Sequence, residues 1–209
     1  KPLSKATLHT TLRHLKNFFQ WLAREAGYKS RINYSDTEYF NLSEKDTRVA
    51  NAKRKKPVPS LEQIIHVMEN MPERTDIEKR NRALIAFTLL TGARDSAIAS
   101  LKIKHVILHE GRLFQDAREV KTKFSKTFNT YFFPVGKLPL NIVKAWIEYL
   151  TKELLSSPDD PLFPKTKMVV GDDRRFKACG LLREHWLTAS PIRKIFKQAF
   201  KNADLPYYN

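Results

Sequence analysis

The chain is 209 residues long, and 38 Lys and Arg against 22 Asp and Glu leave a net charge of +16. A chain of this length buries roughly 70% of its extended surface on folding, enough for one good-sized domain or a domain with a small appendage. Mean hydropathy is −0.48, and no stretch approaches the ~18 uninterrupted apolar residues of a membrane helix, which excludes a transmembrane protein from the reading.

The first 24 residues contain no apolar block followed by a small-residue cleavage site, so the expected location is the cytoplasm. The single cysteine, Cys179, can make no internal disulfide and has no second thiolate for a zinc site; it is expected to be a bystander thiol, and no metal site is expected. A charge this far from zero points to a polyanionic partner. The basic residues fall in several separate blocks, which favours nucleic acid over a membrane surface.

In chain order, Leu8, Leu12, Leu15, Phe19 and Leu22 recur at helical spacing, and Gly27 is the expected left-handed cap. His9, Arg13, Lys16 and Gln20 share the opposite face, with no acidic residue before Glu25, so that face is expected to meet phosphates. Residues 28–47 are polar with scattered aromatics. From Arg48 to Ser60 come five basic residues, Arg48, Lys53, Arg54, Lys55 and Lys56, with Pro57 and Pro59 and no acid. Like charges and prolines predict an open linker that lies along a nucleic-acid backbone.

Ser60 and Gln63 form a capping-box pattern that opens a helix through Ile64, Ile65 and Met68. The run from Ala83 to Leu90 is apolar on nearly every side and stops at Gly92, which predicts a buried central helix. KIKHVIL, RLFQ and TFNTYFFPV, with a turn at 109–111, predict three short antiparallel strands. Helical spacing returns after Pro139, a proline-rich loop with PLFP follows, and Ile192, Ile195, Phe196, Ala199 and Phe200 mark a last helix.

Four blocks carry most of the chemistry: LLTGARDSAIASLKIKHV from Leu89, EVKTKFSKTFNTYFFPV from Glu119, PLFP from Pro161, and SPIRKIFKQAFKNADLP near the end. In TGAR, a buried helix ends at Gly92 and Arg94 emerges at the start of the next helix, where a guanidinium can hold a phosphate bidentately. The order of these blocks, with the N-terminal helix and basic linker, resembles a tyrosine recombinase of the phage integrase family over essentially the whole chain.

That resemblance implies a mainly α fold with a small three-stranded antiparallel sheet (α+β). It implies a partial helical core-binding domain over 1–48, a basic linker over 49–60 and a catalytic domain over 61–209 whose C-terminal part is missing. It implies site-specific recombination of double-stranded DNA through a phosphotyrosine link, without metal or other cofactor. Arg94 would be the first of two arginines clamping the scissile phosphate. Of the hairpin lysines, Lys123 is the choice for the general acid that protonates the leaving 5′ oxygen, with Lys121 and Lys126 as backbone contacts. The family's usual acidic residue three positions after the arginine is Ala97 here, and Asp95 would point elsewhere.

The family's His-x-x-Arg box and nucleophilic tyrosine are expected after the last helix, so the chain reads as a fragment. The string His109 to Arg112 is out of order, Tyr207 and Tyr208 precede the missing box, and His185 and Trp186 read as packing or DNA-facing residues. The full-length protein would be tetrameric on DNA and this fragment monomeric. A non-cleaving DNA-binding module from a decayed or truncated integrase is the alternative, and a general basic RNA-binding or architectural protein a weaker third.

Overall fold

The computed structural model describes residues 2–52 and 57–207. Lys53, Arg54, Lys55 and Lys56, at the centre of the expected linker, and Tyr208 lie outside the described residues. The chain divides into two compact units, Lys1–Pro57 and Val58–Asn209.

In the first unit, Ser4 caps α1 (Lys5–Leu22) by accepting the Thr7 N–H. The helix stops at Leu22 rather than at Gly27. Tight bonds from Arg24 N–H to Trp21 O and Glu25 N–H to Leu22 O, both 3.0 Å, satisfy terminal carbonyls before Gly27 is reached. Gly27 adopts its left-handed φ of +87° within the turns that follow. A 3₁₀ segment, Tyr34–Phe40, and α2 (Glu44–Asn51) pack on α1, with Phe19 stacked on Phe40 at 5.2 Å.

Arg48 lies in the last turn of α2, not in an open linker. Ser43 accepts the Asp46 N–H, and Glu44 and Asp46 complement the helix N-terminus, so a helix forms where the chain was expected to open.

The second unit is built around α4 (Asp76–Thr91), which follows α3 (Leu61–Glu69). The box at Ser60 and Gln63 is formed, Ser60 Oγ accepting the Gln63 N–H at 3.3 Å and Gln63 Oε1 the Ser60 N–H at 2.9 Å. Leu84, Phe87 and Leu90 of α4 pack in one core with Val67 and Met68 of α3. After α4 come the short α5 (Asp95–Ile98), three strands, α6 (Lys137–Lys152), a hairpin and α7 (Ser190–Asn202). Val143, Trp146 and Leu150 of α6 and Ile192 and Phe200 of α7 join the same core. The PLFP block belongs there too: Leu162 and Phe163 are buried, and Leu162 O accepts the Trp146 indole N–H at 2.9 Å.

β1 (Val106–Ile107), β2 (Arg112–Gln115) and β3 (Phe128–Tyr131) form an antiparallel sheet in that order, Val106 opposite Leu113 and Leu113 opposite Thr130. KIKHVIL contributes only two strand residues. Ile103 and Lys104 give their N–H groups to Asp160 O and Pro158 O, at 3.1 and 2.9 Å, and Ile103–His105 turns as a 3₁₀ segment. A second, two-stranded sheet was not anticipated: β4 (Lys165–Val170) pairs with β5 (Phe176–Leu182). The fold is mainly helical with a small three-stranded antiparallel sheet, as expected, plus this added hairpin.

Candidate nucleic-acid interface

The end of α4 is held from both sides. Thr91 Oγ1 donates to Phe87 O at 2.8 Å and accepts the Ala93 N–H at 3.2 Å, while Gly92 reverses the chain at φ +59°. Arg94 then caps α5 in an extended conformation, its carbonyl accepting the Ile98 N–H at 2.9 Å. Ala93 and Ala97 are buried and Arg94 is exposed, so a fixed backbone carries a guanidinium that has no hydrogen-bond or ion-pair partner among the described residues.

The segment after β2 faces this turn. Lys121 N–H donates to Ser100 Oγ at 2.9 Å, and Ser100 Oγ donates to Ala97 O at 2.9 Å, tying the Lys121 backbone to α5. Lys123 begins a turn in which Phe124 and Ser125 have left-handed φ of 59° and 51°, and its Nζ lies 4.8 Å from the Phe124 ring centre. Arg94, Lys121 and Lys123 line one depression of about 190 Å³ together with Gln115, Thr122 and Thr130. Among the described residues its wall holds three cations and no carboxylate, a charge balance that suits an anion. Lys126 is exposed and is not part of its lining.

Below the lysines, Glu119 ties the segment to the turn before β1. Its carboxylate accepts from Lys104 Nζ at 2.9 Å and Lys102 Nζ at 3.2 Å and bonds His105 Nε2 at 2.9 Å. The hydrogen bonds from Lys104, His105 and Lys102 hold its pKa at about 2. Buried His105 accepts the Lys102 N–H on Nδ1 at 3.0 Å, so Nε2 is the protonated nitrogen that meets Glu119. Asp116 is likewise held at about 2 by the hydrogen bonds of Arg118.

Ala97 leaves no carboxylate beside Arg94, and Asp95 instead accepts Arg193 Nε of α7 at 2.6 Å. Gln115, buried at the floor, donates to Thr130 Oγ1 at 3.1 Å. The hydroxyl oxygen of Thr122 is buried without a partner among the described residues. Ser100, Gln115 and Glu119 escaped the sequence reading because their roles depend on partners 14 to 21 positions away.

The other candidates sit elsewhere. Burial lowers the pKa of His185, against a hydrogen bond with Ala99 that raises it, and the charges of Lys102, His105 and Lys121 lower it further. Trp186 is buried under the guanidinium of Arg80, 4.9 Å away. Tyr207 meets Phe200 edge-on at 5.9 Å beside an apolar groove and does not line the Arg94 depression. His109 is 3.4 Å from Glu110, and Arg112 bonds Glu110 and Asn129, both at 2.7 Å, which places that string in a local turn network.

In the first unit, His9, Arg13, Lys16 and Arg48 do come together, around a concavity of about 680 Å³. Lys16, however, is paired with Glu38 at 2.8 Å and bonds Asn41 at 3.0 Å, and Gln20 bonds Thr37 at 3.3 Å. The helix face expected to meet phosphates is therefore partly an internal contact. Of the expected apolar face only Leu15 is exposed, together with Phe18 and Trp21 from the flank of the helix. Glu38, Asn41 and Thr37 satisfy Lys16 and Gln20, which lets that part of the polar face pack inward.

The family model described as "Phage integrase family" matches residues 59–208. The chain belongs to the phage integrase family. Among curated proteins nothing matches it. Of solved structures, a XerA recombinase is 16% identical with a TM-score of 0.47, covering 95% of this chain and 64% of its own. An integrase from mycobacterium phage Brujita is 18% identical with a TM-score of 0.41, covering 100% of this chain and 55% of its own. The chain thus spans less than two thirds of the length of either. Among the described residues, no helix is long and apolar enough to cross a membrane.

Proposed function

We propose that this chain engages double-stranded DNA as part of a site-specific recombinase, with Arg94 clamping a backbone phosphate and a hairpin lysine serving the leaving oxygen. The observation that carries the reading is the single depression lined by Arg94, Lys121 and Lys123. A preorganised guanidinium beside an ammonium is the arrangement phosphoryl transfer uses to stabilise developing charge. Lys123 is the proton donor by family resemblance, and Lys121 is the rival because its backbone is anchored to Ser100. The domain assignment, 1–48 core-binding, 49–60 linker and 61–209 catalytic, belongs to this proposal, with residues 49–51 taken up in α2 rather than in the open linker, as do a monomeric state of this chain and a tetrameric full-length protein on DNA.

The alternative, a DNA-binding module that does not cleave, is favoured by one observation: among the described residues no tyrosine lines the depression. A nicked duplex incubated with the chain separates the two. A trapped covalent complex that disappears in Arg94→Ala supports cleavage chemistry. DNA binding without any covalent product supports the non-cleaving module. Absence of duplex binding refutes both. In a form that cleaves, a duplex with sulfur at the leaving 5′ position needs no general acid; it restores the rate of whichever of Lys123→Ala and Lys121→Ala has lost the proton donor.

A further inference from the structure

The β4–β5 hairpin has a fixed base. Buried Arg80 donates from Nη1 to Pro164 O at 2.7 Å and to Thr166 Oγ1 at 3.0 Å, and Lys165 N–H donates to Glu184 O at 3.0 Å. Leu181 packs on the core of the second unit. Beyond that base both strands are exposed, and among the described residues neither has a second strand partner.

The tip is tightly turned. Gly171 N–H donates to Arg175 O at 2.8 Å, and Arg174 is left-handed at φ 57°. A Cβ on Gly171 would lie 2.8 Å from Asp173 Oδ1 and 3.0 Å from the Lys177 stem, so the Asp173 and Lys177 side chains close over the turn. Next to the loop, Val170 pairs with Phe176, and they are 62% and 73% exposed. Met168, opposite Ala178, follows two residues down the same strand and is also exposed. An exposed apolar pair at the end of a projecting ribbon is a surface that something covers.

Charge selects what covers it. Residues 165–182 hold five cations against two carboxylates. Asp173 is 3.4 Å from Lys177, and Arg174 and Arg175 have no ion-pair partner among the described residues. We propose that this hairpin is an arm that enters the major groove of duplex DNA, its arginines on the phosphates and Val170 and Phe176 against base edges. The major groove admits a two-stranded ribbon, and thymine methyl groups offer an apolar surface for such side chains. The proposal rests on the reading of the chain as a DNA-binding protein and extends it to a segment outside the Arg94 depression.

The test measures the affinity of the whole chain for a 30-base-pair duplex as a function of salt, for wild type, the double variant Arg174→Gln/Arg175→Gln, and Phe176→Ser. Each neutralised phosphate contributes about −0.9 to the log–log slope, so the double variant should flatten the slope by about 1.8. Phe176→Ser should keep the slope and bind about tenfold more weakly, the size of one lost base-edge contact. Bound duplex should also slow alkylation of Cys179, the chain's one thiol, which is exposed on β5. The substituted side chains are exposed, and circular dichroism confirms that the variants fold. If wild type binds and both variants match it in slope and affinity, the inference is overturned while the broader reading survives. Failure of wild type to bind duplex at all overturns both. Variants that convert a dimer to a monomer without changing the slope overturn it in favour of a second copy as the partner.

Discussion

Replacing Ser100 by alanine tests whether the cationic depression is held together through its backbone. The Ser100 hydroxyl accepts the Lys121 N–H at 2.9 Å in a half-buried hydrogen bond, so the substitution leaves that donor without its partner and removes no charge. An unsatisfied buried donor costs about 1–3 kcal/mol, and about 2 kcal/mol corresponds to a roughly thirtyfold change in an opening equilibrium. Amide hydrogen exchange at Lys121, followed by NMR, should therefore accelerate about thirtyfold in Ser100→Ala and return towards wild type in Ser100→Thr, which keeps the hydroxyl. The salt slope of DNA binding should not change, because no cation is lost. If the Lys121 amide in Ser100→Ala exchanges within about twofold of wild type, the Ser100 tether does not hold the segment and the Glu119 network does so alone.

Other substitutions probe the frame around the site. Gly92→Ala places a side chain at φ +59° and 3.2 Å from the Phe133 ring, and urea unfolding should register a loss of about 1–2 kcal/mol, the usual penalty of a left-handed non-glycine residue. Arg80→Met removes the donors that hold Pro164 O and Thr166 Oγ1 but also relieves a buried charge whose pKa burial has lowered to about 10. The two effects oppose, and a net loss of about 1–3 kcal/mol, with faster amide exchange at the base of the hairpin, is expected by urea unfolding and NMR. The pKa of His185 is lowered on folding, so the unfolded chain binds the proton more readily and stability should fall as pH drops below about 6.5, an effect that His185→Gln removes. A second loss belongs to Glu119, between its ordinary value of 4.5 and its folded value of about 2, and Glu119→Gln should abolish that part of the acid-unfolding curve.

Helices were legible where burial and capping act locally. The box at Ser60 and Gln63, the all-round apolar run of α4, and the Ile192 to Phe200 spacing each depend on neighbours within one or two turns. Gly92 could be read as a stop because a left-handed residue is needed there and glycine adopts it freely. Long-range competition was not legible. KIKHVIL has strand spacing, yet Asp160 and Pro158 capture the N–H groups of Ile103 and Lys104, more than fifty positions away. The basic face of α1 has no acid within its own helix, but Glu38 reaches Lys16 from a segment that looks merely polar. The β4–β5 hairpin did leave a signal, KTKMVV and FKACGLL around GDDRR, in which a Gly-Asp turn separates two β-prone runs. Its weak apolar alternation reflects strands exposed on both faces beyond their base.

The candidate site combines a buried frame with unneutralised charge. Ala93, Ala97 and Val120 contribute apolar surface that fixes the backbone, while Arg94, Lys121 and Lys123 emerge from it as exposed cations. The carboxylates that could have neutralised them are engaged elsewhere: Asp95 by Arg193, Glu119 by Lys102, Lys104 and His105, and Asp116 by Arg118. Replacing the family's usual acid by Ala97 therefore removes one support for the guanidinium without placing a competing negative charge beside an incoming phosphate. On the proposed reading, in which Arg94 clamps a phosphate, its orientation would come from that phosphate and from the rigid turn at Gly92, so that the backbone of this loop, more than any second side chain, would set where the anion sits.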